Sequence, residues 1–338
     1  MATSTRSGQT NVTRKVILLG LLVSLAVIVY SGAWLFAATM LEKRLTNLFD
    51  RDNPAGAVVE CRDMEMRGFP FRIGLFCSGI AVDDHYNGLS ASFGAMRSAA
   101  QVYAPGHIVW EMDGPAEIRS ALGVSLSLQW DRLRSSVNAG LEGMSRTSLV
   151  AEKLKSSVTT IMNGDTLDAD TSHGELHLRR AGADLDAALL IKDTVISKRG
   201  GDPLPLPPVS ASIDMTLLGK AGYLDFHDGT AKGLYGTSGE IRRLVVDIGE
   251  GRVITISGPL SVGDDGNLSG QLHVGLEKID AWRSALGTAF PDAAETFDSA
   301  AKVLTALFIG KDSGSADLNL RNGVVSLGII PIGVLPPL

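Results

Sequence analysis

Hydrophobic and polar positions divide the chain into one long apolar run and a longer stretch of short alternating runs. The apolar run, VILLGLLVSLAVIVYSGAWLFAATM, covers residues 16–40 and contains no charged side chain. About 20 apolar residues suffice for a helix to cross the hydrocarbon core of a bilayer. The pattern therefore predicts a transmembrane helix over residues 16–40, a cytoplasmic tail over residues 1–15 and an exported part over residues 41–338.

The residues around this run predict its orientation. Arg14 and Lys15 directly precede it, so the positive-inside rule places the N-terminus in the cytoplasm. Tyr30, Trp34 and Phe36 lie towards the other end, where interfacial aromatic residues are common. The sequence therefore predicts a single-pass protein whose C-terminal part lies outside the cytoplasm.

Two alternatives to an uncleaved anchor stay open. Signal peptides have a shorter apolar region, about 7 to 15 residues, but Ala37 and Ala38 leave cleavage open. The third interpretation is a buried helix of a globular domain, although uncharged runs of this length are typical of membrane spans.

Strict alternation of apolar and polar residues predicts β-strands in most of the exported part. Segments 124–130 and 173–180 alternate, and segment 184–196 begins with alternation and then becomes continuously apolar. Segment 243–276 reads as three strands separated by glycine-containing turns, and Asn322-Gly323 is a strong hairpin signal. We therefore predict a mainly β fold, a large antiparallel and curved sheet or a sandwich.

Two segments interrupt the strand pattern. Residues 200–210, GGDPLPLPPVS, contain four prolines and form a candidate internal break. Residues 279–309 predict one or two helices, with Gly287 as a C-terminal cap and Pro291 near the start of the second helix. An apolar stripe at helical spacing predicts packing against the sheet, with a second membrane contact as the alternative. The stripe consists of Phe297, Ala301, Leu304 and Phe308.

Composition and charge narrow the function classes. The chain has 38 glycines and is only 6% aromatic, which suits many short strands joined by turns. Its net charge of −6 argues against a nucleic-acid-binding protein, which would be expected to carry an excess of basic residues. Three of the 31 basic residues and none of the 37 acidic residues precede Glu42. The N-terminal segment is therefore positively charged, and the rest of the chain is negatively charged.

The only two cysteines lie in ECRDMEMRGFPFRIGLFCSGI, residues 60–80. Folding this segment about Phe69 places Cys61 opposite Cys77 in an antiparallel hairpin, and an exported protein favours an oxidised pair. The sequence thus predicts a disulfide between Cys61 and Cys77. Two buried free thiols are the alternative, and a zinc site is disfavoured because it needs about four ligands.

The candidates for chemistry all have simpler interpretations. His173 and His177 are four apart on a strand, about 13 Å, too far for one metal ion, so we expect solvated strand histidines. Segments 83–86 and 263–267 are typical of polar turns, and segment 235–240 lacks the spacing of a nucleophile elbow. We therefore predict no catalytic residue, cofactor or metal site, and no enzyme activity.

Three blocks of sequence carry a family resemblance: MRGFPFRIGLFCSGI, RSAAQVYAPGHIVWEMDGPAEI and the ending GVVSLGIIPIGVLPPL. They resemble an alphaproteobacterial envelope family catalogued as domain of unknown function 2125. The resemblance implies a single inner-membrane anchor and a periplasmic domain, and it brings no activity or functional residues. The repeated alternating strands behind one anchor are also similar to AsmA-like and bridge-type lipid-transfer proteins, by pattern alone.

Two function hypotheses follow. In the first, the apolar face of an open, curved sheet binds or transfers lipid or another apolar ligand. The structural alternative to such an open sheet is a closed sandwich that buries the same face within itself. In the second hypothesis, the domain is a structural or interaction protein of the cell envelope without a ligand, and its exposed strand edges or the helix over residues 291–308 dock a partner. We expect the inner membrane as partner through residues 16–40 and no nucleic acid partner, and the ligand-binding residues are not predicted.

Overall fold

The computed structural model describes residues 10–49, 57–85, 88–140, 143–160, 166–198, 204–225 and 233–338. In these residues one long helix precedes a β-rich region that contains two further helices. The helices are α1 (Thr10–Phe49), α2 (Ile279–Ala289) and α3 (Ala294–Leu307). The predicted apolar run lies within α1, and α2 and α3 confirm the predicted helical segment.

Twenty strands in the described ranges form one antiparallel sheet, which confirms the mainly β prediction. The strands are β1 (Ala57–Arg62), β2 (Glu65–Arg67), β3 (Arg72–Cys77), β4 (Gly79–Asp84), β5 (Leu89–Phe93), β6 (Met96–Gln101), β7 (Ala104–Met112), β8 (Ala116–Ser120), β9 (Val124–Gln129), β10 (Arg132–Ala139), β11 (Met144–Thr160), β12 (Thr166–Ala181), β13 (Asp184–Lys198), β14 (Val209–Leu217), β15 (Thr237–Asp247), β16 (Val253–Val262), β17 (Leu268–Leu276), β18 (Gly314–Arg321), β19 (Val324–Leu327) and β20 (Ile330–Val334).

The sheet is an up-and-down meander in which each long strand pairs with the strands that precede and follow it in the chain. The first ten strands are consecutive pairs, β1 with β2, β3 with β4 and so on to β9 with β10, and each pair forms one long, interrupted strand. Each long strand pairs with the next one along both of its halves. β11 then pairs with β9 along its C-terminal half and with β10 along its N-terminal half. From β11 to β20 the order in the sheet follows the order in the chain.

The interruptions that divide the long strands lie side by side and form a line across the sheet, which we call the crease. The crease runs through Asp63, Ser78, Gly94, Gly114, Asp131, Lys153, Ser172 and Asp193. Three of these residues, Asp63, Lys153 and Asp193, have positive φ of 49°, 50° and 50°. Aspartate tolerates this conformation better than most residues because its short side chain bonds locally.

Polar side chains bond across the crease where ladder hydrogen bonds are missing. The Ser78 hydroxyl donates to Asp63 Oδ2 at 2.6 Å, and Lys153 Nζ lies 2.7 Å from Asp131 Oδ2. The Ser172 hydroxyl donates to Asp193 Oδ2 at 3.1 Å. The crease is therefore a bend stabilised at several strands.

Small side chains on one side of the crease are buried. Cys77, Ala116 and Ala151 are only 4%, 0% and 7% exposed, and the buried Thr171 and Thr194 hydroxyls lie 3.1 Å apart. These residues are among the few in the sheet that are buried. Burial in the sheet is therefore concentrated at small side chains close to the crease.

The two later helices pack on the last wide strands of the sheet. Ile279, Ala301 and Phe308 form a buried cluster against Leu276 and Ala316. This confirms that the predicted apolar stripe packs on the sheet. The predicted cap at Gly287 was wrong, because α2 continues to Ala289 and the turn comes at Phe290.

Cys61 and Cys77 form a disulfide, with the Sγ atoms 1.96 Å apart. The predicted register was wrong by three residues, since Cys61 lies opposite Ile80 and Glu65 lies opposite Phe76. The centre of the hairpin falls between Pro70 and Phe71, not at Phe69, because Arg72 N donates to Gly68 O at 2.9 Å and closes the turn there. The disulfide thus joins the two strands diagonally, beside the crease.

Candidate functional site

The most extensive feature of the sheet is a row of residues that crosses ten strands and is apolar at every position except Ser135. We call it the apolar row. Each residue of this row lies opposite the next in the strand register. From β7 to β18 the row is Trp110, Ser135, Leu149, Leu176, Leu189, Ile213, Leu244, Ile256, Val274 and Ala316. At ~4.8 Å per strand the row is roughly 45 Å wide.

A second row on the same face, beside the first, is apolar except at Thr147. It consists of Ile108, Val137, Thr147, Leu178, Ala187, Met215 and Ile241. Side chains two residues apart on a strand share a face. The two rows therefore form one surface, which we call the apolar face.

The opposite face has mixed polarity. On each strand, the residue next to the first-row residue in the chain points to the other face, and these residues form a third row. The members of this row at the N-terminal end of the sheet are charged. This row contains Glu111, Arg134, Val150, Glu175, Leu190, Ser212, Val245, Thr255, Gly275 and Ser315. We call this surface the polar face. The asymmetry means that one side of the sheet is suited to apolar material and the other to water.

Most of the apolar face is only half-buried. Trp110 is partly exposed, and Leu189 is 45% exposed. Three large side chains in the described ranges are fully buried, namely Leu224, Ile248 and Ile279. Ile279 begins α2 and packs with the helix-pair cluster against Leu276 and Ala316, so these helices cover the C-terminal end of the apolar face.

At its N-terminal end the sheet contacts α1. The Trp34 Nε1 atom donates to the Arg72 carbonyl at 2.9 Å, and the Tyr30 hydroxyl donates to the Pro70 carbonyl at 2.6 Å. The Trp34 and Phe69 rings meet edge to face, with centroids 5.4 Å apart. The first hairpin of the sheet is thereby attached to the only described helix that is long and apolar enough to cross a membrane.

The polar face has a cavity of about 660 Å³ near β3, β6 and β7. Phe76 and Val150 contribute apolar lining, and Arg72, Arg97 and Arg134 supply cationic groups. Arg97 is already engaged, because its guanidinium donates to both Asp113 oxygens at 2.7 and 3.0 Å, which raises its pKa.

The two strand histidines belong to a hydrogen-bonded cluster on the polar face. Glu175 lies between them, 2.6 Å from His173 Nε2 and 2.9 Å from His177 Nε2, and Glu152 lies 3.1 Å from His173 Nδ1. Glu175 and then Glu152 raise the pKa of His173, while His173 and then His177 lower the pKa of Glu175. The prediction of merely solvated histidines was therefore incomplete, because His173 is only 23% exposed.

A second charged cluster connects β12 to β15. Asp186, which is 12% exposed, accepts hydrogen bonds from Arg179 at 2.5 Å, Arg242 at 2.9 Å and Thr216 at 2.8 Å. The Arg179 and Arg242 guanidinium groups hold the pKa of Asp186 well below its usual range. Arg242 also pairs with Asp214. These bonds cross four strands and fix their register from the polar side.

The remaining sequence candidates lie apart from one another. Asp83 and His85 are exposed at the end of β4, and segment 263–267 is the turn between β16 and β17. Ser238 lies exposed in β15. Within the described ranges, no group of three or more His, Cys, Asp or Glu side chains is placed to hold a metal ion.

Sequence reasoning missed the crease and the two charged clusters. Several of the bonded residues are far apart in the chain, such as Arg242 and Asp186, and only the register brings them together. One signal was present in the sequence: aspartates next to strand ends, such as Asp113 and Asp131, interrupt otherwise alternating runs.

A comparison with family models matches residues 34–336 to the family described as "Uncharacterized protein conserved in bacteria (DUF2125)". No curated protein and no solved structure matches the chain. The match covers the end of α1 and nearly all of the β-rich region.

Proposed function

The chain belongs to the DUF2125 family, and we propose that it is a membrane-anchored envelope protein that binds or transfers lipid on its apolar face. The carrying observation is the ten-strand apolar row, half-buried along most of its width and attached to a membrane-length helix at one end. A solvated apolar surface of this size on a soluble domain is typical of a binding surface.

The energetics of apolar burial support a lipid as the ligand. Each methylene group that leaves water contributes about 0.8 kcal/mol, so an acyl chain supplies enough free energy without a strong polar anchor. In this proposal the sheet curves towards the apolar face and forms a trough. The α2–α3 pair covers the C-terminal end of that face, and the other end of the trough lies beside α1, which bonds the first hairpin.

The proposed location is the inner membrane, with the β-rich region in the periplasm. Arg14 and Lys15 at the start of the apolar run favour a cytoplasmic N-terminus. The Cys61–Cys77 disulfide suits an oxidising compartment on the other side. The likeness to AsmA-like and bridge-type lipid-transfer proteins belongs to this proposal and rests on strand pattern alone.

The test uses two neighbouring leucines that lie on opposite faces. Leu189 is on the apolar face and Leu190 is on the polar face, in the same strand. A photoreactive phenylalanine analogue is placed at position 189 or 190 of the full chain in cells. After irradiation, mass spectrometry identifies covalent lipid adducts.

We expect lipid adducts at position 189 and several-fold fewer at position 190. Equal labelling would indicate nonspecific contact with detergent or membrane, and the absence of adducts at 189 would overturn the proposal. A third position, 25 in α1, checks that the method captures lipid wherever the chain contacts the bilayer.

A second candidate function, an interaction protein of the envelope, is favoured by the last strand. β20 ends the sheet, and its residues Ile330, Ile332 and Val334 are 62%, 49% and 74% exposed. An exposed apolar edge strand can accept a strand from another protein. Crosslinking from position 332 in intact cells would yield one specific protein adduct if this function operates, and none if the edge is unused.

A further inference from the structure

We infer that two adjacent turns at the end of the sheet next to α1 insert into the outer leaflet of the membrane that holds this helix. We call them the aromatic tip. The inference rests on the proposed membrane anchor and goes beyond it, because it gives the β-rich region a membrane contact of its own. The tip consists of Phe69, Pro70, Phe71, Val102 and Tyr103.

The side chains of the tip are apolar and solvent-exposed. Phe69, Phe71 and Tyr103 are 53%, 69% and 78% exposed, and Val102 is 39% exposed. The two turns are joined, because Val102 N donates to the Phe71 carbonyl at 3.1 Å. Three exposed aromatic rings in a chain with so few aromatic residues form a patch typical of membrane-interface belts.

The contacts with α1 define the depth of the tip. A hydrocarbon core of about 30 Å needs about 20 helical residues, so a span that begins at Val16 leaves the core near residue 36. Tyr30 and Trp34, which bond the tip, then lie in the outermost ~10 Å of the core. A turn bonded to these residues must lie at a similar depth, in the outer leaflet.

Several backbone carbonyls in and beside the tip have the hydrogen-bond partners that a bilayer requires. Unsatisfied carbonyl and amide groups are costly in hydrocarbon, so loops enter it only when their polar groups have partners. The carbonyls of Gly68, Pro70, Phe71 and Arg72 each accept a hydrogen bond, two of them from Tyr30 and Trp34 of α1. Pro70 has no amide hydrogen to satisfy.

The space between the tip and α1 is also apolar. A cavity of about 530 Å³ lies there, lined by the tip and by residues such as Leu22 and Val27 of the helix. Such a gap would be filled by acyl chains if the surroundings are a bilayer. Arg72 follows the tip directly, where a cation can pair with lipid phosphate.

The consequence is a fixed position for the open end of the trough. The tip connects β2 to β3 and β6 to β7, the first strands below the crease. Held in the outer leaflet, these strands place the N-terminal end of the apolar face at the bilayer surface. A lipid could then pass from the leaflet onto the sheet without crossing water.

Electron paramagnetic resonance depth measurements test the inference on the full chain in nanodiscs of phosphatidylethanolamine and phosphatidylglycerol. A keto amino acid at one position carries the nitroxide, so Cys61 and Cys77 stay intact. The probe positions are 71 in the tip, 25 in α1, and 122 in the turn between β8 and β9. Leu122 is a matched control, because it is 86% exposed in a turn at the other end of the strands.

We expect the label at position 71 to be more accessible to oxygen than to a water-soluble nickel chelate, as at position 25 and opposite to position 122. If the labels at positions 71 and 122 are both more accessible to the nickel chelate while the label at position 25 is in the bilayer, the aromatic tip is not inserted. In that case the proposed membrane anchor is retained and this inference is rejected. If the label at position 25 is itself in water, the proposed anchor fails and this inference fails with it.

Discussion

At the residue scale, hydrogen bonds between polar side chains add to the backbone bonds that hold neighbouring strands in register. Asp186 bonds residues from three other strands, and Glu175 bonds two histidines on its own strand. Because the apolar face offers only generic packing, these directed bonds distinguish the correct register from its neighbours. The polar face thus contributes specificity to the strand register.

The Glu175 cluster leads to a pH prediction. Glu175 raises the pKa of His173, so protonated His173 stabilises the fold, and this contribution is lost as pH rises through its folded-state pKa. Glu175→Gln should return the pKa of His173 towards about 6.5. Histidine-selective NMR titration of the full chain in micelles measures this change.

Glu277→Gln, at a remote exposed position, is the control and should leave the titration of His173 unaltered. A wild-type pKa for His173 at or below 6.5 would contradict the cluster, as would an unchanged value in Glu175→Gln.

At the element scale, three devices hold the meander together: a disulfide in the first hairpin, the crease across the long strands, and the helix pair on the last strands. Each acts at a place where the sheet would otherwise have a weak edge. β1 and β2 are on the outer side of the first hairpin, and the disulfide fastens them to β3. The helix pair supplies the buried apolar cluster that the single sheet lacks elsewhere in the described ranges.

Removal of the disulfide should destabilise the β-rich region. Cys61→Ser/Cys77→Ser opens a loop of about 15 residues, for which the chain-entropy model gives roughly 3 kcal/mol. Urea unfolding of the full chain, followed by circular dichroism, measures the difference. Reductant should lower the urea midpoint of the wild type to that of the variant and should leave the midpoint of the variant unchanged. Identical midpoints of the two proteins without reductant would show that the disulfide does not stabilise the fold.

Truncation in the helix-pair cluster should have a larger effect. Phe308 is 8% exposed and packs with Ile279 and Ala301, so Phe308→Ala should cost about 3–5 kcal/mol. Phe290→Ala is the matched control, because Phe290 is 42% exposed and outside the cluster. The same urea measurement applies, and equal losses in the two variants would show that the cluster contributes no special stability.

At the scale of the whole molecule, one apolar helix and one apolar sheet face share an end of the structure. The two are in direct contact, since the Tyr30 and Trp34 side chains of α1 bond to the first hairpin. The known part of this picture is the fold and the family. The lipid and the bilayer are the proposals that the arrangement supports.

The anchor itself is testable on the whole chain. We expect the wild type to stay with membranes after an alkaline wash and to keep its full intact mass. Leu22→Arg/Leu25→Arg places two charges mid-span, each costing about 2.5–3.5 kcal/mol, and should release the protein from the membrane fraction. Leu122→Arg in a sheet turn is the control, and a mass that begins near residue 38 would instead establish a cleaved signal.

Several features of the protein follow from local sequence pattern alone. An uncharged run of 25 residues predicts α1, alternation predicts strands, and Asn322-Gly323 predicts its hairpin, where both residues have positive φ of 48° and 81°. With two cysteines only one intrachain pairing exists, so the partners were predictable although their register was not. These features depend on residues close together in the chain or on chemical type.

The alignment of the strands and the position of the crease depend on contacts between distant parts of the chain. Alternation assigns two faces to each strand but does not say which faces join, because a shift of one residue exchanges them. The register joins apolar residues from Trp110 to Ala316 into one surface and brings Phe71 to α1. Long-range pairing selects that alignment through many weak contacts acting together, and no short stretch of sequence contains that information.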